Sequence, residues 1–260
     1  MIDTHCHLLY GLDDGAPDPE QTLAMARVAV ADGVAGIIAT PHMREGDYLN
    51  ERPDVLARTE DVRRLLADRN VPLEIWPGSE VHLGPRLAER VAEGRLLTFN
   101  DRGVHLLLEC PYRNRPIRLE EAIFELRLAG ITPVIAHPER ILFFQEDPGR
   151  YEEVVRLGAL GQMTSSSLLG TFGRSIQRLS EDWVARGLVH MLGSDAHDTE
   201  YRPPRLARAR DRWAELTDAE QAALAVEGHP RALVEGRSID PEPPRPPRRS
   251  RGLLSRILRR

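Results

Sequence analysis

The chain has 260 residues, 29.2 kDa, 41% hydrophobic content and a mean hydropathy of -0.38, which suits one large soluble α/β domain or two small ones. No apolar run is long enough to span a bilayer, and the first residues lack the charged and apolar regions of a signal peptide, so the body is expected in the cytoplasm. The net charge of -5 hides a basic end: Arg237, Arg245, Arg248, Arg249, Arg251, Arg256, Arg259 and Arg260 face only Asp240 and Glu242. The remaining body is therefore acidic, which excludes a nucleic-acid groove over most of its surface. All 35 basic residues are arginine, and two cysteines, Cys6 and Cys110, are too few for a disulfide framework.

The first predicted element is a strand, Ile2-Asp3-Thr4-His5-Cys6-His7. Side chains along a strand repeat every two residues, so His5 and His7 share a face and Cys6 turns away as a small buried residue. Two imidazoles on one face suit a metal ion. A lone His-x-His is a weak signal that usually ends as surface or core. Here it returns near the far end as Asp195-Ala196-His197.

After a Gly/Asp-rich loop from Leu8 to Pro17, Asp18-Pro19 reads as an N-cap and first helical residue, with helical spacing up to Gly33. Val34 to Thr40 is an apolar run of the buried parallel-strand kind, ending in Pro41-His42. The rhythm then repeats. Helices are expected over about Pro53 to Arg69, Arg86 to Glu93, Leu119 to Leu128, Tyr151 to Leu157 and Ile176 to Ala185. Strands are expected over Pro72 to Trp76, Val104 to Leu108, Thr132 to Ala136, Ala159 to Met163 and Leu188 to Leu192. That gives seven strands alternating with helices and no second compositional block. The pattern predicts an α/β fold of one domain, a closed or slightly distorted (β/α) barrel, with a doubly wound sheet as the alternative.

His5, His7, His42, Glu80, Glu109, His137, Asp195 and His197 all fall at or just past strand C-terminal ends, where barrel enzymes build their sites. Any one of them reads equally well as an ordinary loop residue; eight together do not. Five imidazoles and three carboxylates suit Mn, Fe or Zn and exceed what one ion needs, so two or three ions are expected. Clusters of that kind activate a water and clamp phosphate oxygens. Arg140, three residues past His137, and Arg202, in Tyr201-Arg202-Pro203-Pro204, supply fixed positive charge for such an anion. Either arginine alone reads as a surface ion-pair partner. Asp14 reads as a ligand-orienting or acid/base group, or as a turn aspartate.

The motifs Asp3-Thr4-His5-Cys6-His7, Ala39-Thr40-Pro41-His42, Gly78-Ser79-Glu80, Ala136-His137-Pro138-Glu139-Arg140 and Ser194-Asp195-Ala196-His197 resemble those of the polymerase-and-histidinol-phosphatase (PHP) superfamily. Gly11-Leu12-Asp13-Asp14-Gly15-Ala16, Ser167-Leu168-Leu169-Gly170 and Arg202-Pro203-Pro204 are similar to the CpsB-type bacterial protein-tyrosine phosphatases. The likeness runs from Met1 to about Gly236. It implies a distorted (β/α)7 TIM-like barrel of PHP type, a manganese-preferring site of two or three ions, and hydrolysis of phosphotyrosine. The implied partner is the tyrosine-rich tail of a bacterial tyrosine kinase that controls capsule or exopolysaccharide export. By motif the eight residues above take the metal-ligand roles, and Arg140 and Arg202 bind the phosphate. Asp198 stands where Asn is more usual, and Cys110 where an apolar residue is.

Two rival readings remain at this point: a small-molecule phosphoesterase of the histidinol-phosphatase kind, and a PHP domain kept only as a scaffold. The PHP domain is expected over residues 1–236, with a Pro/Arg-rich tail over 237–260. From Pro241 to Pro247 the tail reads as an extended, unpacked linker. Arg251 to Arg260 reads as disordered or as a short basic amphipathic helix, suited to a weak contact with an anionic membrane.

Overall fold

The computed structural model describes residues 1–246. Its nine strands, all parallel, lie in two hydrogen-bonded groups. Ile2–Cys6 (β1), Gly36–Ala39 (β2) and Glu74–Pro77 (β4) pair in the order β1-β2-β4. The other six are His42–Met43 (β3), Glu80–His82 (β5), His105–Glu109 (β6), Thr132–Ala136 (β7), Leu160–Thr164 (β8) and Met191–Gly193 (β9). They pair in the order β3-β5-β6-β7-β8-β9.

The seven expected strands become nine because two of them resume as short pieces beyond their expected ends. The strand expected over Val34–Thr40 pairs as far as Ala39, and pairing resumes at His42 beyond Pro41, which has no N–H to give. The strand expected over Pro72 to Trp76 runs to Pro77 and resumes at Glu80. Gly78 between them lies so close to the neighbouring strand that a Cβ there would sit 3.1 Å from Ile38 Cγ2. Each second piece continues the line of the first, with His42 opposite Glu80, so the seven barrel positions survive. The barrel is distorted, since β4 pairs with β2 alone and only β5 reaches β6. It closes from β9 to β1 through few bonds. Thr4 Oγ1 donates to Leu192 O at 2.8 Å, Asp195 N to His5 O at 2.8 Å, and His7 N to Ala196 O at 2.9 Å.

Outer helices cover the strands, and several begin as their sequence dictates. Asp18 caps Pro19–Ala31, its carboxylate accepting from Gln21 N at 2.8 Å. Asp147 caps Pro148–Arg156, which starts earlier than the apolar spacing suggested. The short helix expected from Arg86 begins at Leu87, because Arg86 is left-handed. The last helix, His229–Glu235, ends on a left-handed Gly236. The linker from Pro241, expected to be unpacked, is held at Arg245. Arg245 N donates to Arg186 O at 2.8 Å, and Arg186 Nε donates back to Arg245 O at 3.0 Å. The expected amphipathic helix from Arg251 lies outside the described residues.

Two buried histidines at the barrel's N-terminal end make its stability depend on acid. Burial, then the charge of Arg127, pushes His105 down to about 4, and neither of its ring nitrogens has a hydrogen-bond partner. Burial, then His229, pushes His190 down to about 3. The unfolded chain takes up these protons first, near pH 6.5, so stability is full above that value and falls as the pH drops toward the folded values. His105→Leu is expected to lose about 2 kcal/mol less than the parent between pH 7 and 5. Urea unfolding at the two pH values checks this; an equal fall in both proteins would show that His105 is not the cause.

Candidate metal centre

The alternation of β1 carries His5 and His7 into one point at the mouth of the barrel, where their Nε2 atoms are 3.1 Å apart. Each ring is turned by a partner behind it. His5 Nδ1 donates to Gln162 Oε1 at 2.9 Å, and His7 Nδ1 donates to Asp13 Oδ2 at 2.7 Å. A hydrogen bond at Nδ1 fixes the tautomer and leaves the Nε2 lone pair facing the centre. Asp13 also accepts from His42 N at 2.9 Å and Gly15 N at 3.0 Å, so one carboxylate organises the whole first loop. Two glycines let the chain approach this closely. A Cβ on Gly15 would lie 2.2 Å from His7 O, and one on Gly193 would lie 2.6 Å from His5 Cβ.

Glu80, fully buried at the start of β5, stands in the middle. Its Oε1 is 2.7 Å from His137 Nε2; its Oε2 is 3.0 Å from His42 Nδ1, 3.2 Å from His5 Nε2 and 3.4 Å from His7 Nε2. Asp195 Oδ1 faces the same two imidazoles at 3.4 and 3.5 Å. His42 Nε2 and His197 Nε2 converge on Asp14 Oδ1 at 3.5 and 3.3 Å. Glu109 Oε2 is 3.1 Å from His82 Nδ1. Donor atoms within 4.8 Å of one another fall into three sets: His5, His7, Glu80 and Asp195; His7, Asp14, His42 and His197; and His42, Glu80 and Glu109. His137 joins none of the three and meets the cluster through Glu80. Asp14, whose role the sequence left open, joins the second. His137 and Asp195 have left-handed φ of 33° and 54°, backbone that costs of order 1–3 kcal/mol and concentrates at functional sites.

The donor set fits divalent cations. Glu80 Oε2 and His42 Nδ1, both buried, lie 3.0 Å apart without hydrogen-bond geometry, and neither has a hydrogen-bond partner elsewhere. Two buried donors left unpaired beside each other are what a shared cation would satisfy. Burial alone would push Glu80 up, but charge on His5 and His42 and a hydrogen bond from His137 hold its carboxyl well below the usual range. Asp195 is likewise held low against burial, by His5, His7 and Arg202. These carboxylates stay ionised in a buried place, which requires positive charge beside them.

Arg140 and Arg202 meet at the rim. Both guanidinium groups bond Asp195 Oδ2, Arg140 through Nη1 and Arg202 through Nη2 at 2.5 Å. Asp198 holds the turn that carries Arg202, its Oδ1 accepting from the backbone N of Glu200, Tyr201 and Arg202 at 2.7, 2.6 and 3.1 Å. A cavity of about 610 Å³ opens here, walled by His42, Tyr48, Tyr112, Arg140 and Arg202. That is ample for a phosphorylated side chain. Asp13, Gln162, His82 and Tyr112 were not foreseen; they contact ligands without joining the donor sets. Only Asp13 lay inside a quoted motif, and adjacent Asp13 and Asp14 could not be told apart by spacing.

Comparison with known proteins identifies the family. Residues 1–234 match the family model described as capsular polysaccharide synthesis, CpsB/CapC. The chain is 39% identical over 202 residues to tyrosine-protein phosphatase YwqE of Bacillus subtilis (strain 168), covering 78% of this chain and 79% of that protein. It is 26% identical over 239 residues to tyrosine-protein phosphatase CpsB of Streptococcus pneumoniae, covering 90% and 98%. A crystal structure from work on YwqE and CpsB, described as unique metal-dependent tyrosine phosphatases, superposes with a TM-score of 0.91 at 34% identity, over 96% of this chain and 100% of that one. With its sequence matched almost from end to end and its barrel superposed on theirs, the chain belongs to the CpsB/CapC family.

Proposed function

We propose that this chain is a metal-dependent protein-tyrosine phosphatase that hydrolyses the phosphate monoester of phosphotyrosine. One observation carries the reading: three sets of imidazole and carboxylate donors share Glu80, His7 and His42 at the floor of a cavity whose rim holds two arginines on one ligand carboxylate. Two or three ions, manganese in preference to iron or zinc, would be held by His5, His7, Asp14, His42, Glu80, Glu109, His137, Asp195 and His197. Such ions supply Lewis-acid charge and a water acidic enough to attack at neutral pH. The chain's own share is to place the phosphoryl oxygens. Arg140 and Arg202 hold them with planar, permanently charged donors. Gln162 and Asp13 keep His5 and His7 in the tautomer the site needs.

The proposed substrate is the phosphorylated tyrosine-rich tail of a bacterial tyrosine kinase serving capsule or exopolysaccharide synthesis, met in the cytoplasm. No helix among the described residues is long and apolar enough to cross a membrane. The arginines of the last twenty residues favour an anionic surface at about 1 kcal/mol each, which would hold the enzyme beside a membrane-anchored kinase. Equal sedimentation of the full chain and a chain ending at residue 240 with anionic vesicles would dismiss that contact. Turnover of a phosphotyrosyl peptide is expected to exceed that of histidinol phosphate and of a phosphoseryl peptide by at least tenfold in kcat/KM. Faster turnover of histidinol phosphate would replace this reading with a small-molecule phosphoesterase, and turnover of none of them with a scaffold.

A further inference from the structure

The strand order β6-β7-β8 puts the loop carrying Arg140 between the loops carrying Tyr112 and Phe172. The guanidinium carbon of Arg140 lies 5.1 Å from the Tyr112 ring centroid and 4.7 Å from that of Phe172. Tyr112 in turn stacks on His137, with centroids 5.2 Å apart and planes 17° apart, and its hydroxyl lies 3.2 Å from His137 Nε2. Four planar groups thus follow one another, from the metal-ligand candidate His137 through Tyr112 and Arg140 to Phe172. Arg140 follows His137 by three residues in a short 3-10 turn, so its backbone alone leaves a long side chain free to swing. Its bond to Asp195 fixes one end of the guanidinium, not the tilt of its plane.

We propose that Tyr112 and Phe172 are positioning residues for Arg140, a sleeve of two aromatic faces that sets the guanidinium plane for the incoming phosphate. The inference rests on the phosphatase reading for what Arg140 binds, but the sleeve itself rests on the ring distances. An aromatic face attracts a cation most where water is excluded, and arginine stacks where lysine does not. Tyr112 also leans on His137, so the sleeve keeps the anion-binding arginine in register with the ligand cluster. Neither ring belongs to the ligand sets, and the Phe172 ring carries no polar atom. Phe172 does not wall the cavity and touches Arg140, so its contribution passes through Arg140.

A double-mutant cycle on the metal-loaded protein tests this. Phe172→Leu is expected to lower kcat/KM for a phosphotyrosyl peptide about tenfold, which is about 1.4 kcal/mol. The inhibition constant of inorganic phosphate should rise in parallel, and Phe172→Trp should keep parent behaviour. In an Arg140→Ala background, Phe172→Leu should change nothing further. An equal tenfold loss in that background would show that Phe172 acts on folding or elsewhere and would overturn the sleeve. So would parent behaviour of both Phe172→Leu and Tyr112→Leu; the second variant also stands in if the first does not fold. Should the parent turn over no phosphotyrosine at all, the phosphatase reading fails. The same cycle read by calorimetric affinity for inorganic phosphate still decides the sleeve.

Discussion

Chelation is expected to abolish turnover of phosphotyrosyl peptide completely, and manganese to restore it better than iron or zinc. The reason is the density of ligands in the centre. Glu80 lies in two of the three donor sets, and so do His7 and His42, so loss of ions disorganises every set at once. The same experiment has a readout that does not depend on activity. An ion that binds the folded chain and not the unfolded one adds about 2.7 kcal/mol at a hundredfold excess over its Kd. For a domain of this size, each kcal/mol moves the Tm by about 2–4 °C, so manganese should raise it by about 5–11 °C. Replacing Asp13 by Ala, which removes the partner of His7 Nδ1, should cost about 10–100-fold in metal affinity. Full activity in a thoroughly demetallated sample, or an unmoved Tm, would end the metal reading.

How much of this was legible depended on whether a residue's role followed from strand periodicity. The alternation of His5 and His7 and the apolar runs ending at Glu109, His137 and Asp195 were readable, because a parallel strand buried on both faces is a plain apolar segment that must end somewhere. The pieces that resume at His42 and Glu80 were not, since two or three residues are too few to show a strand's alternation. Asp13 and Gln162 were missed for another reason. They act on a ligand's far nitrogen from a loop and from the middle of β8, and no local rule ties their sequence position to His7 or His5. Asp14 was left open because spacing could not separate it from Asp13. The structure divides the pair, one carboxylate behind His7 and the other before His42 and His197. The contact of Arg245 with Arg186 was hidden for the same reason, as a proline-rich stretch reads as unpacked whatever it touches.

Replacing Arg140 or Arg202 by alanine is expected to lower kcat for phosphotyrosyl peptide by about 10²–10³, the scale of removing one preorganised donor to a developing charge. Both side chains are partly exposed, at 17% and 29%, so neither holds the core together. Their shared partner makes the experiment sharper. Asp195 Oδ2 takes both guanidinium groups while Oδ1 faces His5 and His7, so the arginines sit on the rim side of the carboxylate and the imidazoles on the inner side. Loss of one arginine leaves Asp195 its other arginine and its imidazoles, and the metal content should stay at the parent value. Lysine at either position should recover only part of the rate, because an ammonium keeps the charge and loses the planar fork that matches two phosphoryl oxygens. Arg140→Lys should recover less than Arg202→Lys, since position 140 also loses its stacking between Tyr112 and Phe172. Metal analysis beside the kinetics separates the outcomes. A fall in rate with metal lost would make the arginines supports of Asp195, and parent rates in both alanine variants would make them rim residues with no part in binding phosphate.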